Sequence, residues 1–256
     1  MQKPFTVKSK KLTIMGTLHL PDEYKESRKK FPVVLLLHGF TGNKIEPHRF
    51  FWKISDMLAK NGVISLRFDY RGNGESEGNF EDFTIKDYIY DAKIMMKKLL
   101  KKVKKINEKN ITVIGLSMGG IIASYLTSFF PEIKKIILLS AVAKPKEVFT
   151  KDLKENIPDY KNILKEKGLI DLGGIPLTKK FFDTIKRMKP LEKIKDFNGK
   201  ALIIHNENDD VVSVDNGIAY KDTIANSKIK ILKGSSHTFA SLKEEAEVLT
   251  LIKKFI

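Results

Sequence analysis

The stretch Asn110-Ile111-Thr112-Val113-Ile114-Gly115-Leu116-Ser117-Met118-Gly119-Gly120 decides how this chain is read. A short apolar, β-branched segment runs straight into Gly-x-Ser-x-Gly, and Ile121-Ile122-Ala123-Ser124-Tyr125-Leu126 continues as the start of a buried helix. A serine caught between a strand end and a helix start has to turn sharply. Glycines two residues before and after it remove the Cβ atoms that would clash in such a turn. The hydroxyl is then held up at the sheet edge above a helix N-terminus, where free N–H groups favour negative charge. A weak nucleophile needs this presentation to attack a carbonyl, so Ser117 is the candidate nucleophile.

Working outward, buried strands are expected at Pro32–Leu37, Val63–Phe68, Ile111–Ile114, Ile136–Leu139, Ala201–Ile204 and Ile229–Leu232. Most lack the period-2 alternation of a half-exposed sheet, as strands covered on both faces do. Helical segments fall between them at Phe50–Asn61, Ile85–Lys105, Gly119–Phe130 and Ile218–Ile224, and an amphipathic helix over Leu242–Phe255 closes the chain. Alternating strand and helix implies an α/β fold with a mainly parallel sheet and right-handed crossovers. Phe5–His19 reads as an antiparallel hairpin around Lys10-Lys11. Between Ala143 and Gly199 the rhythm breaks into short amphipathic pieces, a Gly173-Gly174 turn and the prolines 145, 158, 176 and 190. So long a connection inside an α/β domain is usually functional. It is expected to cap the carboxyl edge of the sheet, where ligands bind in open α/β folds. Residues 1–143 and 199–256 then form the core and 144–198 the cap, with Phe149, Tyr160, Phe181 and Phe182 able to wall a pocket.

A serine nucleophile needs a base, and the base needs an orienting acid. Of the five histidines, His237 lies on a small polar loop, Gly234-Ser235-Ser236-His237, beyond the last strand. That loop can carry an imidazole back over the sheet edge. The acid is expected after the preceding strand, in Ile204-His205-Asn206-Glu207-Asn208-Asp209-Asp210. The side chains of adjacent Asp209 and Asp210 diverge, so only one reaches His237. Asp209, nearer the strand end, is preferred. The order Ser117, Asp209, His237 differs from those of chymotrypsin and subtilisin. A developing oxyanion also needs N–H donors. Met118, after the nucleophile, supplies one. Phe40 supplies the other, from Leu37-His38-Gly39-Phe40-Thr41-Gly42, with His38 bracing that loop. His38, Gly39, Tyr160 and Phe182 are expected to border the substrate pocket.

The composition excludes several classes. There is no cysteine, which removes disulfides, thiolate metal sites and a thiol nucleophile. Asp69-Tyr70-Arg71-Gly72-Asn73-Gly74-Glu75-Ser76 lacks the third glycine of a dinucleotide fingerprint and the Gly-Lys-Ser/Thr of a P-loop, and reads as a tight turn. His48 near Glu46 and His205 near Glu207 lack metal-ligand spacing, so polar loop contacts are expected. No metal or organic cofactor is implied. The net charge of +16 is nearly all lysine, spread along the chain with Asp and Glu interleaved. Its densest run, Lys97–Lys105, carries Leu99, Leu100 and Val103 at helical spacing and reads as a wet helix face without base-stacking aromatics. Nucleic acid is therefore not expected as a partner. No secretory signal or membrane span is read, which makes the cytoplasm the expected compartment.

His38-Gly39-Phe40-Thr41-Gly42, Asp69 to Ser76, Gly115-Leu116-Ser117-Met118-Gly119, Asp209 and His237 occur in the order of the serine α/β-hydrolases. The chain resembles that superfamily over nearly its whole length. Within it, the sequence is similar to small bacterial feruloyl (cinnamoyl) esterases through His-Gly-Phe-Thr-Gly, the Phe80-Glu81-Asp82-Phe83-Thr84 stretch and a cap with a Gly-Gly hairpin. The resemblance implies a carboxylesterase that hydrolyses small acyl or aryl-acyl esters, feruloyl or cinnamoyl esters among them, through an acyl-enzyme. A monoacylglycerol lipase, a thioesterase or a peptidase would share the same catalytic residues, and a non-catalytic binding module is the alternative of a different class. The expected partner is a small-molecule ester, and a homodimer is left open.

Overall fold

The computed structural model describes the backbone of residues 1–256 and every side chain except those of residues 152 and 156. The hairpin forms from β1 (Gln2–Ser9) and β2 (Leu12–His19), antiparallel and turning at Lys10-Lys11. Next come β3 (Phe31–Leu37), α1 (Phe50–Lys60), β4 (Ile64–Phe68), α2 (Ile85–Lys102), β5 (Ile106–Leu116), α3 (Met118–Phe129) and β6 (Ile133–Leu139). The inserted stretch holds α4 (Pro145–Asn156), α5 (Tyr160–Lys167), a small hairpin of β7 (Leu169–Asp171) and β8 (Pro176–Thr178), α6 (Lys179–Ile185) and α7 (Pro190–Ile194). The chain ends with β9 (Lys200–Asn206), α8 (Asp215–Thr223), β10 (Ser227–Leu232) and α9 (Leu242–Phe255).

Eight strands form one sheet in the order β1-β2-β4-β3-β5-β6-β9-β10. β2 runs antiparallel to both β1 and β4, and β4, β3, β5, β6, β9 and β10 run parallel to one another. Parallel strands all release the chain at one edge, so the loops after β3, β5, β6, β9 and β10 gather there. The missing alternation has its cause in two cores. Along β3, Val33, Leu35 and Leu37 face the side that carries α2 and α3, while Val34 and Leu36 face Phe50, Phe51 and Ile54 of α1 and Val248 and Ile252 of α9.

Several expected boundaries shift, β6 for instance beginning at Ile133, three residues early. β5 begins five residues early, because Phe31 pairs with Ile106 before a register shift admits the polar Asn107 to Asn110. α8 begins at Asp215, three residues earlier than the apolar spacing indicates. α2 stops at Lys102, and Val103 and Ile106 turn inward. The Lys97–Lys105 run is accordingly not one wet face. Lys105 Nζ donates to the carbonyls of Tyr24, Lys25 and Ser27 at 2.6, 3.0 and 2.8 Å and ties down the connection from β2 to β3.

The Asp69–Ser76 turn is built around buried charge. Asp69 accepts the Lys44 and Glu75 N–H groups at 2.6 and 3.0 Å and pairs with Lys44 Nζ. Buried Arg71 meets buried Asp91 of α2 through Nε at 2.9 Å and through Nη2. These contacts hold the loop after β4 beside the loop after β3.

Candidate active site

Ser117 occupies the turn between β5 and α3 with φ 53° and ψ −118°, a conformation that L residues avoid. Such strain costs roughly 1–3 kcal/mol and persists only where the surroundings impose it. The Ser117 N–H donates to Leu139 O at 2.9 Å, and its carbonyl accepts from Gly120 at 2.9 Å and Val142 at 3.2 Å. The end of β6, the segment that follows it and the first turn of α3 thus clamp the turn. A Cβ on Gly119 would overlap the Leu37 carbonyl oxygen, because α3 starts hard against β3. Gly119→Ala is therefore expected to cost more than about 4 kcal/mol, the range reserved for severe overpacking. Soluble yield and urea unfolding check this, and a variant as stable as the parent refutes it.

The loop after β10 brings His237 to the loop after β9. His237 Nδ1 donates to Asp209 Oδ2 at 2.8 Å and Oδ1 at 3.0 Å. The Asp209 side chain is fully buried. Its Oδ1 also accepts the N–H groups of Val211 at 3.0 Å and Val212 at 2.8 Å. Burial alone would raise this carboxyl. The hydrogen bonds from His205, His237 and Val212 outweigh burial and hold it well below the usual carboxylate range. Asp210 is exposed and takes no part.

His205 belongs to this acid. Its Nε2 lies 2.7 Å from Val212 O, so that nitrogen carries the proton, and it lies 3.4 Å from Asp209 Oδ2. Read from the sequence it is only a polar loop contact near Glu207, yet its i,i+4 spacing from a strand end to the acid is a usable signal. His48 contacts Glu245 of α9 at 2.7 Å and Thr238 O at 3.0 Å, bracing the backbone next to His237.

Ser117 and His237 line one cavity of about 160 Å³ with Gly39, Phe40, Thr41, Gly42, Glu46, Pro47, Leu116 and Thr238. Among the described residues the Ser117 hydroxyl has no hydrogen-bond partner, so the two groups share the cavity without a hydrogen bond between them. Such bonds often tighten only once substrate binds. The N–H groups of Phe40 and Met118 likewise donate to no protein acceptor among the described residues.

Of the expected pocket residues, Gly39 lines this cavity and three others do not. His38 is fully buried beneath it: Nδ1 donates to Gly39 O at 2.9 Å and Nε2 accepts the Tyr70 N–H at 3.3 Å. Burial holds its imidazole down at about 4, so it is a neutral brace. Tyr160 and Phe182 are buried against each other, ring centroids 5.7 Å apart, inside the inserted segment. Phe149 and Phe181, also expected to wall a pocket, are buried behind the cavity, and the aromatic ring in its lining is that of Phe40. The Phe40 ring packs against Phe80 at 5.8 Å, Phe149 of α4 at 5.3 Å and Phe181 of α6 at 5.4 Å. Glu46, which sequence reasoning weighed only as a metal ligand, is the acidic member of the cavity.

The sequence profile of the alpha/beta hydrolase fold family matches residues 32–166. The human mitochondrial palmitoyl-protein thioesterase ABHD10 is 20% identical over 255 residues, spanning 94% of this chain and 78% of that protein. Est1E from Butyrivibrio proteoclasticus, solved with ferulic acid, superposes with a TM-score of 0.82 at 23% identity, covering 98% of this chain and 97% of Est1E. Mouse alpha/beta hydrolase domain-containing protein 10 superposes with a TM-score of 0.77 at 15% identity, covering 99% and 98% of the two chains. At these identities the structural likeness establishes the fold. Among the described residues no helix is long and apolar enough to cross a membrane.

Proposed function

The chain belongs to the alpha/beta hydrolase family, and on that premise we propose that it is a serine carboxylesterase that hydrolyses small acyl or aryl-acyl esters through an acyl-enzyme. The observation that carries this reading is the convergence of three loops. The strained Ser117 turn and the His237 imidazole share one cavity, and the buried Asp209 carboxylate grips the far nitrogen of that imidazole.

In this mechanism Asp209 fixes the His237 tautomer that leaves Nε2 free to take the Ser117 proton. Ser117 Oγ attacks the ester carbonyl, and the Phe40 and Met118 N–H groups receive the oxyanion. His237 then returns the proton to the leaving alcohol. Water, deprotonated by the same nitrogen, attacks the acyl-enzyme and releases the acid. Residues 144–198 serve as a cap, since Phe149 and Phe181 from this segment meet the Phe40 ring at the cavity. The Phe40, Pro47 and Leu116 side chains in the cavity lining suit a compact apolar or aryl-acyl group, and Est1E, a neighbour in fold, was solved with ferulic acid. The cavity's small volume favours short or compact esters.

A second reading, thioesterase, draws support from the ABHD10 relative, which aligns along 94% of this chain. The same nucleophile, base and oxyanion donors serve an acyl thioester. Turnover of p-nitrophenyl acetate, methyl ferulate, a monoacylglycerol and an S-palmitoyl peptide separates the two, with the short and feruloyl esters expected to lead. A fluorophosphonate probe is expected to label Ser117, as peptide mass spectrometry would read. An unlabelled protein overturns both readings.

A further inference from the structure

Among the described residues, Glu46 is the acidic group in the cavity that the mechanism leaves without a role. Only 7% exposed, it sends Oε1 to the Gly39 N–H at 2.7 Å, while its other oxygen has no hydrogen-bond partner among the described residues. Gly42 makes room for it: a Cβ there would stand 2.8 Å from Oε1. A Cβ built on Gly39 would lie 3.5 Å from Ser117 Cβ and 3.6 Å from Glu46 Oε1. No more than the width of that residue separates the carboxyl from the nucleophile. The backbone is bent to the same end, since Thr41, Glu46, His48 and Arg49 all hold positive φ, at 58°, 61°, 45° and 62°. A loop that places four non-glycine residues in this region is shaped by what it has to deliver.

We propose, building on the serine-esterase reading, that Glu46 is the positioning residue of the oxyanion loop and works as the neutral acid. By engaging Gly39, it leaves the next N–H, that of Phe40, turned to the cavity. Ionised, it sets a negative charge beside the developing oxyanion and opposes it.

The surroundings give this charge little relief. Lys44 is taken by Asp69 and Glu75, and Lys53 and His48 are taken by Glu245. Tyr70, buried behind the loop, is pushed well above its ordinary range and His38 is held down at about 4, so both stay neutral. Arg49 stacks on Trp52 at 4.1 Å. His237, across the cavity, is neutral in the state that accepts the proton. Burial accordingly pushes the Glu46 carboxyl up to about 7, against the opposite pull of the Gly39 N–H.

The test is kcat and KM for p-nitrophenyl acetate between about pH 5.5 and 9 in the parent, Glu46→Gln and Glu46→Ala, with titrating groups read from the two limbs. The parent rate is expected to fall as Glu46 loses its proton, on the alkaline side of about 7. Gln keeps an acceptor for Gly39 without the charge, so this variant gains on the parent by about tenfold at the alkaline end, in kcat more than in KM. Ala removes the acceptor and the charge together, so its kcat lies about tenfold below that of Glu46→Gln at every pH. Thermal unfolding gives an independent reading. A folded-state value raised above the unfolded one contributes stability that is complete at low pH and lost as pH rises through about 7. The melting temperature of the Gln variant, relative to the parent, is therefore expected to climb over that interval. An alkaline decline that survives unchanged in Glu46→Gln overturns the proposal while the esterase reading stands. A parent that hydrolyses no ester and takes no fluorophosphonate at Ser117 overturns both.

Discussion

Ser117→Ala is expected to lower turnover of p-nitrophenyl acetate by about 10⁶-fold, the scale on which a serine triad loses activity without its nucleophile. The size of the loss follows from what the hydroxyl alone supplies. Without it no acyl-enzyme forms, and only binding and the oxyanion donors remain, which together keep about 10³-fold over water. The fold should hardly notice. Oγ has no hydrogen-bond partner among the described residues, so its removal leaves nothing unsatisfied. Alanine at φ 53° is strained as serine is. The melting temperature is expected to move by less than about 3 °C, which corresponds to roughly 1 kcal/mol in a chain of this size. Activity and calorimetry on the same sample separate the two effects, and a loss below about 10²-fold would remove Ser117 as the nucleophile.

Asp209→Asn is expected to cost about 10⁴-fold in kcat, while Asp210→Asn changes it by less than about threefold, as exposed positions usually do. The geometry explains the contrast. The Val211 and Val212 N–H groups claim Oδ1, so the amide oxygen of an asparagine must occupy that place. Its NH₂ then stands where Oδ2 meets His237 Nδ1 at 2.8 Å and His205 Nε2 at 3.4 Å. With a donor at the shorter of its two contacts, and only the amide oxygen at 3.0 Å left to accept, His237 is biased toward a bare Nδ1 and a proton on Nε2, where it can no longer take one from Ser117. The His205 N–H meets a second donor as well. Stability supplies a separate check. A carboxyl whose folded value is depressed contributes stability above its unfolded value, near about 4, and loses it as pH falls through the folded one. The deficit of Asp209→Asn relative to the parent should therefore shrink in acid. Equal losses at positions 209 and 210 would reassign the acid.

What could be read along the chain and what could not divide on physical lines. The strand-to-helix turn at Ser117 and the parallel sheet were legible because they depend on local spacing: glycines flanking one residue and unbroken apolar runs. The closing helix, Leu242–Phe255, was legible to the residue because Ser241 and Glu244 form a capping box at its start. Asp209 and His237 could be chosen from their places after the last strands, and the structure sets them 2.8 Å apart. Burial of single side chains was not legible. His38 and Phe182 look like lining residues in the sequence but are enclosed by Tyr70 and Tyr160, partners distant along the chain. Glu46 and Lys44 sit in a polar loop that reads as solvated. Their carboxyl and ammonium are enclosed only once the loops after β3 and β4 meet.

Wedged between rings contributed by α4 and α6, Phe40 couples the inserted segment to the reaction centre. Grafting residues 144–198 from a relative would exchange more than the lining that meets the acyl group. It would reseat a backbone donor, so chimaeras that split those three phenylalanines between parents trade rate for selectivity.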